Sequence, residues 1–263
     1  MFNFACIAPH PPIIIPTIGR TQDLKSVKGT IRSLEKLKNI FEKKEIDSLL
    51  IVSPHSPFNP SFFTLNIKDK FIGGFSDFGD FKTQISFEGD IDLAKKILSS
   101  SENVPIKQTN YPLLDHGTLV PLYYLCKNKK PKIIILNYCL LESQIHFKFG
   151  KVLGEISQNS ENKIGIVASG DLSHRLTPDA PAGFSTQGRK FDQKLIKLLE
   201  KKDIEGILNI DKDLIEEAGE CGYKSIIILL GALSTLKNQG WNFEILNYEG
   251  PFGVGYLTCN VRF

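Results

Sequence analysis

Short runs of Ile, Val, Leu and Phe alternate along this chain with longer stretches in which apolar residues recur every three or four positions. Phe2 to Ala8, Ser48 to Ser53, Lys132 to Tyr138, Lys163 to Ser169, Phe243 to Asn247 and Gly255 to Phe263 have the length and composition of strands. Leu24, Val27, Ile31, Leu34, Leu37, Ile40 and Phe41 keep the helical step, as do Phe191, Leu195, Leu198 and Leu199. Strands alternating with helices predict an α/β fold: a single domain over residues 1–263 with a central mixed sheet flanked by helices. The glycines of Phe71 to Phe81, set among four Phe, read as a surface loop able to cover a site.

Composition narrows the class. With 41% hydrophobic and 23% charged residues the chain can bury a substantial core. The net charge of +3 comes from scattered short runs such as Lys43-Lys44, Lys127 to Lys130 and Lys201-Lys202, which describe a solvated surface and not a nucleic-acid stripe. Five cysteines at irregular spacings, without a CxxC pair, exclude a disulfide framework or zinc ribbon. Met1 to Ile15 has no basic leader and is broken by Pro9, Pro11 and Pro12, and nothing approaches the roughly 18 apolar residues of a membrane span. The expectation is a cytoplasmic protein with no membrane and no nucleic-acid partner.

The histidines carry the chemistry. His10 follows the first strand in Ala8-Pro9-His10-Pro11-Pro12, His55 follows the second in Ser53-Pro54-His55-Ser56-Pro57, and His174 follows a third in Gly170-Asp171-Leu172-Ser173-His174. The carboxyl ends of strands are where open α/β sheets place their ligands, and flanking prolines hold each imidazole on extended backbone. His116, in Leu114-Asp115-His116-Gly117, precedes an apolar run expected to be a helix, whereas His146 reads as structural. Asp115 and Asp171 suit either orientation of an imidazole or the capping of a turn or helix.

These motifs, in this order across nearly the whole chain, resemble the catalytic subunit of class III extradiol ring-cleavage dioxygenases. The strings Asp171 to Gly183 and Glu216 to Leu233 look most like its branch called AmmeMemoRadiSam system protein B, related to Memo proteins. The resemblance implies a non-haem Fe(II) centre with two His and one carboxylate, acting on a small aromatic, catecholic substrate. It matches His10 and His55 to the two histidine ligands, and His116 and His174 to the acid and base that move protons to and from the substrate.

The third ligand departs from the family pattern. Counting from Ala218-Gly219, the family's Glu falls at about Lys224, which cannot replace a carboxylate; Glu220 and Cys221 lie about one turn earlier, and Glu217 is next in line. Memo-type proteins resemble the segment at Cys221-Gly222, and a thiolate would favour Zn or Cu over oxygen-activating Fe(II). Two functions are therefore open: an extradiol-type dioxygenase, or a Memo-like metal-binding interaction protein without ring cleavage. A zinc hydrolase is a more distant third. The sequence leaves substrate, native metal and homo-oligomeric state undetermined.

Overall fold

In the computed structural model, which describes residues 1–55, 57–236 and 240–263, the apolar runs pair into one large sheet. The chain begins with β1 (Phe2–Ala8), α1 (Thr21–Ser26), α2 (Lys28–Glu42) and β2 (Ser48–Ser53), followed by β3 (Phe63–Asn66), β4 (Lys70–Phe75) and β5 (Asp80–Glu88). It continues with α3 (Ile91–Ser99), β6 (Ile106–Thr109), α4 (His116–Leu125), β7 (Lys132–Asn137), α5 (Ser143–Gln158) and β8 (Ile164–Ser169). Four helices, α6 (Thr186–Glu200), α7 (Ile204–Leu208), α8 (Lys212–Ala218) and α9 (Tyr223–Ser234), precede β9 (Asn242–Glu249) and β10 (Tyr256–Arg262).

The eight-stranded sheet runs β6-β3-β7-β2-β8-β1-β10-β9. Its middle four strands are parallel and level: Ser53 lies beside Asn137, Val52 beside Ala168, and Ala8 beside Ser169. Antiparallel β3 and β10 flank them, which makes the sheet mixed. Strands buried on both faces need apolar residues at successive positions, and their side chains divide between two cores by the period of two. Ala5, Ile7, Leu50, Val52, Ile166 and Ala168 face one core with α5 and α9, while Phe4, Cys6, Leu49, Ile51 and Val167 face another with α2 and α4.

Every strand read from the apolar runs is present, with ends shifted by no more than two residues. The helical run from Leu24 to Phe41 is divided at Val27 between α1 and α2. The expected loop at Phe71 to Phe81 is corrected: β4 and β5 form a two-stranded hairpin, with only Ser76–Phe78 and Gly79 turning. Its glycines misled because Gly73 and Gly74 sit in close packing and not in a turn, while Phe71, Phe75 and Phe87 bury the inner face.

Helices α5 and α9 pack most closely at paired glycines. A Cβ on Gly150 would lie 2.1 Å from the Ile228 carbonyl oxygen and 2.8 Å from Gly231 Cα, both backbone atoms that cannot turn aside. Substituting Gly150→Ala is expected to lower unfolding stability by about 2 to 3 kcal/mol, the usual cost of overpacking. Urea denaturation measures it, and an unchanged midpoint contradicts the close contact.

Candidate metal centre

Strands β1 and β2 each stop at a proline. Pro9 and Pro54 have no amide proton for a further ladder bond, so the chain leaves the sheet there and His10 and His55 stand two residues beyond the strand ends. Strand β8 lies between β1 and β2, so both loops converge above its carboxyl end. His10 is only 2% exposed, and its Nε2 is 3.1 Å from His55 Nε2. His116 joins them from the first turn of α4, its ring centroid 4.2 Å from that of His55 and 5.5 Å from that of His10. One donor atom from each of His10, His55 and His116 falls within 4.8 Å of the other two, and no other group of three or more His, Cys, Asp or Glu does so among the described residues.

A buried hydroxyl orients His10. Ser169 Oγ lies 2.5 Å from the Gly117 carbonyl oxygen and 2.8 Å from His10 Nδ1. A carbonyl can only accept, so the Ser169 proton is committed to Gly117 and the hydroxyl must accept from His10 Nδ1–H. The other ring nitrogen, Nε2, then carries the lone pair and points it into the cluster. Fixing a tautomer through the distal nitrogen is how proteins prepare a ligating imidazole.

Electrostatics keep these rings neutral. Burial, reinforced by neighbouring His55, His116 and His174, holds His10 well below the usual imidazole value. His55 is lowered to about 4 by burial and by His116 and His174, and burial also lowers His116 and His174. His174 stands outside the compact group, but its proximity adds to the lowering of both His10 and His55, and its Nδ1 is buried.

The segment after α8 places its two candidates differently. Cys221 Sγ lies 3.6 Å from His10 Nε2 and receives the Asp171 amide at 3.3 Å. The contact depends on Gly170, where a Cβ would come within 2.2 Å of Gly222 Cα. Tyr138 donates its hydroxyl to the Cys221 carbonyl at 2.8 Å. Glu220 turns instead to the start of α9, its Oε2 accepting the Tyr223 amide at 2.5 Å, and confinement of its carboxyl pushes it up to about 7. Lys224 lines a separate surface cleft with Glu142 and Lys212, and Glu217 is engaged with Arg175 and Ser185.

Neither aspartate holds an imidazole ring. Asp115 caps α4, taking the Thr118 amide at 3.0 Å, and Asp171 takes the backbone amide of His10 at 2.9 Å. His146 is fully buried against Phe63, with its ring nitrogens 3.0 and 3.1 Å from the carbonyl oxygens of Glu142 and Cys139, and serves structure. Ser169 and Tyr138 escaped the sequence reading, since at the end of an apolar strand neither residue type signals which way it faces.

Comparison with known proteins identifies the family. Residues 4–258 match the family described as the catalytic LigB subunit of aromatic ring-opening dioxygenase. The chain belongs to this family. It is 37% identical over 263 residues to a Clostridium acetobutylicum protein that carries only a locus name, covering 95% of this chain and 55% of that protein; the chain thus spans about half that relative's length. It is also 23% identical over 230 residues to the 3,4-dihydroxyphenylacetate 2,3-dioxygenase of Escherichia coli, covering 81% of this chain and 83% of that enzyme. In fold it resembles the crystal structure of an uncharacterized Escherichia coli K12 protein, with a TM-score of 0.69, 16% identity and 98% of each chain covered. Among the described residues no helix is long and apolar enough to cross a membrane.

The loop bearing His174 is held from beneath by Asp192 of α6. Its Oδ1 accepts the Ser173 amide at 2.9 Å and its Oδ2 the Tyr248 hydroxyl at 2.6 Å, while Ser173 Oγ and the His174 amide both donate to the Ala218 carbonyl. Burial outweighs these bonds and pushes Asp192 from 3.8 up to about 6. The folded chain therefore retains a proton that the unfolded chain releases in this window, so the group's favourable contribution is full below pH 3.8 and is lost as pH rises through about 6. Asp192→Asn is expected to remove roughly 3 kcal/mol at most of that pH dependence. Denaturant titrations across the window check it; identical slopes in variant and wild type would rule it out.

Proposed function

We propose that this dioxygenase-like protein binds a metal ion through His10 and His55 and acts on a small catecholic aromatic, with His116 and His174 handling its protons. The observation that carries this reading is the lone pair of His10 Nε2, aimed at His55 Nε2 by the Ser169 hydroxyl. At this distance the two Nε2 atoms share one proton as an N–H···N hydrogen bond, and a cation taking that proton's place would receive a lone pair from each ring. Bound there, Fe(II) would supply the oxygen chemistry, which side chains alone cannot provide.

The chain's own residues would do the remaining work. His174, kept neutral by burial, can take a proton from a substrate hydroxyl, and His116 can hold or return one beside His55. Depressed basicity suits this exchange, because each ring is unprotonated at neutral pH before substrate arrives. The Asp115 cap fixes the helix start that carries His116, and Asp192 and the Ala218 carbonyl hold the loop that carries His174.

A second reading is favoured by Cys221. Its sulfur stands beside His10 Nε2 while the Glu220 carboxylate is occupied at the α9 terminus. A His, His, Cys set prefers Zn or Cu(I), which suits a Memo-like metal-binding interaction protein without ring cleavage. That reading keeps the same two histidines and changes the third donor and the outcome.

Metal analysis of protein purified anaerobically under reducing conditions tests both. His10→Ala and His55→Ala are expected to lose stoichiometric metal, His174→Ala to retain it, and Ser169→Ala to weaken binding by about 10- to 100-fold through loss of ring orientation. Cys221→Ser is expected to weaken metal binding more than Glu220→Gln, and in Co(II)-loaded protein to abolish a sulfur-to-metal absorption band. Iron with oxygen uptake on catechols supports the first reading; zinc or copper without uptake supports the second. Full metal content in both histidine variants removes the centre altogether, and loss of metal in His116→Ala makes that ring a ligand.

A further inference from the structure

The hairpin that the sequence presents as a loop brings an unexplained aromatic ring to the candidate centre. Phe78 closes the turn between β4 and β5, its centroid 5.4 Å from that of His116 at an interplanar angle of 74°, yet it remains 39% exposed. The hairpin does not need this ring for its own packing, because Phe71, Phe75 and Phe87 already fill the buried side. Nor is the turn loose. Asp80 Oδ2 accepts the hydroxyls of Thr17 and Thr83 at 2.5 Å each, and its Oδ1 accepts the amides of Lys82 and Thr83 at 2.9 and 3.0 Å. The Thr17 and Thr83 bonds hold the Asp80 carboxyl far below the usual range, and Thr17 belongs to the segment that leaves His10. The tip is thus pinned to the same loop that carries a candidate ligand.

A second ring matches it from another loop. Phe58, 44% exposed, stands perpendicular to Tyr138 at 6.4 Å, and Tyr138 is the residue whose hydroxyl holds the Cys221 carbonyl. Half-exposed phenyl rings therefore mark the His116 side and the Cys221 side of one polar cluster. Partly exposed rings that stand against a candidate ligating imidazole and against the tyrosine that holds the Cys221 carbonyl are placed to touch whatever binds the cluster.

We propose that Phe78, aided by Phe58, forms the aromatic wall that grips the ring of the ligand and makes Phe78 the specificity-determining residue for flat aromatic chelators over non-aromatic ones. This inference rests on the metal-centre reading given above. A catechol directed to the cluster through its two oxygens would present its ring to these phenyl groups, and ring-on-ring contact adds to simple burial.

Two probes separate ring contact from metal contact: 4-nitrocatechol and acetohydroxamate, each titrated anaerobically into the metal-loaded chain and followed by absorbance or calorimetry. Phe78→Ala is expected to raise the 4-nitrocatechol Kd by about 5- to 10-fold, as loss of an aromatic contact predicts, while leaving metal content and acetohydroxamate binding unchanged. Phe78→Trp should restore the affinity and report binding through quenching of the new indole. Equal weakening of both probes would show that Phe78 only shapes the centre, and no weakening of either would show that it does not touch the ring; each result overturns the inference alone. Wild-type protein that binds acetohydroxamate but no catechol overturns the inference together with the aromatic-substrate reading, and protein that binds neither removes the metal centre on which both depend.

Discussion

The Ser169 hydroxyl ties together three segments that carry or adjoin the imidazoles. It belongs to β8, accepts from the His10 ring beyond β1 and donates to the Gly117 carbonyl in the first turn of α4. The hydroxyl is fully buried, so neither bond competes with water. Its two contacts set the tautomer of His10 and keep the turn bearing His116 close by. Much of the site's order follows from this one group, because a lone pair can converge on a neighbour only if the opposite nitrogen is satisfied.

Level strand ends supply the frame on which that interaction acts. Four adjacent parallel strands finish at nearly the same height, and each releases a loop on the same edge of the sheet. Proline ends two of them and glycine ends a third, where Gly170 lets the backbone at Gly222 approach. This approach places Cys221 beside His10. One residue earlier, Glu220 accepts the Tyr223 amide at the start of α9, a role suited to a carboxylate at a helix start.

Crowding sets the chemistry of the cluster. Burial disfavours imidazolium at His10, His55, His116 and His174 alike, and neighbouring imidazoles add to it at His10 and His55, so all four are held below the free imidazole value. Neutral rings keep the lone pairs that metal binding and proton acceptance require. Membership of the aromatic ring-opening dioxygenase family gives this arrangement a chemical context.

The α/β class and the main strands were legible because buried parallel strands are continuous apolar runs, which any reading of Phe2 to Ala8 or Ser48 to Ser53 detects. His10, His55 and His174 were legible as candidates because a strand followed by proline or glycine announces its own end. Less could be read where the pattern was weak: short β3 and β6 contain few apolar residues, and the glycines of β4 disguised a packed hairpin as a loop. Only the tertiary structure brought Cys221 Sγ to His10 and Glu220 to the start of α9, set His116 beside His55, and put Ser169 against His10, Tyr138 against Cys221 and Phe78 against His116. Those outcomes depend on side-chain direction and on contacts between residues far apart in the chain. Local periodicity records which residues are buried, but not which distant groups they meet.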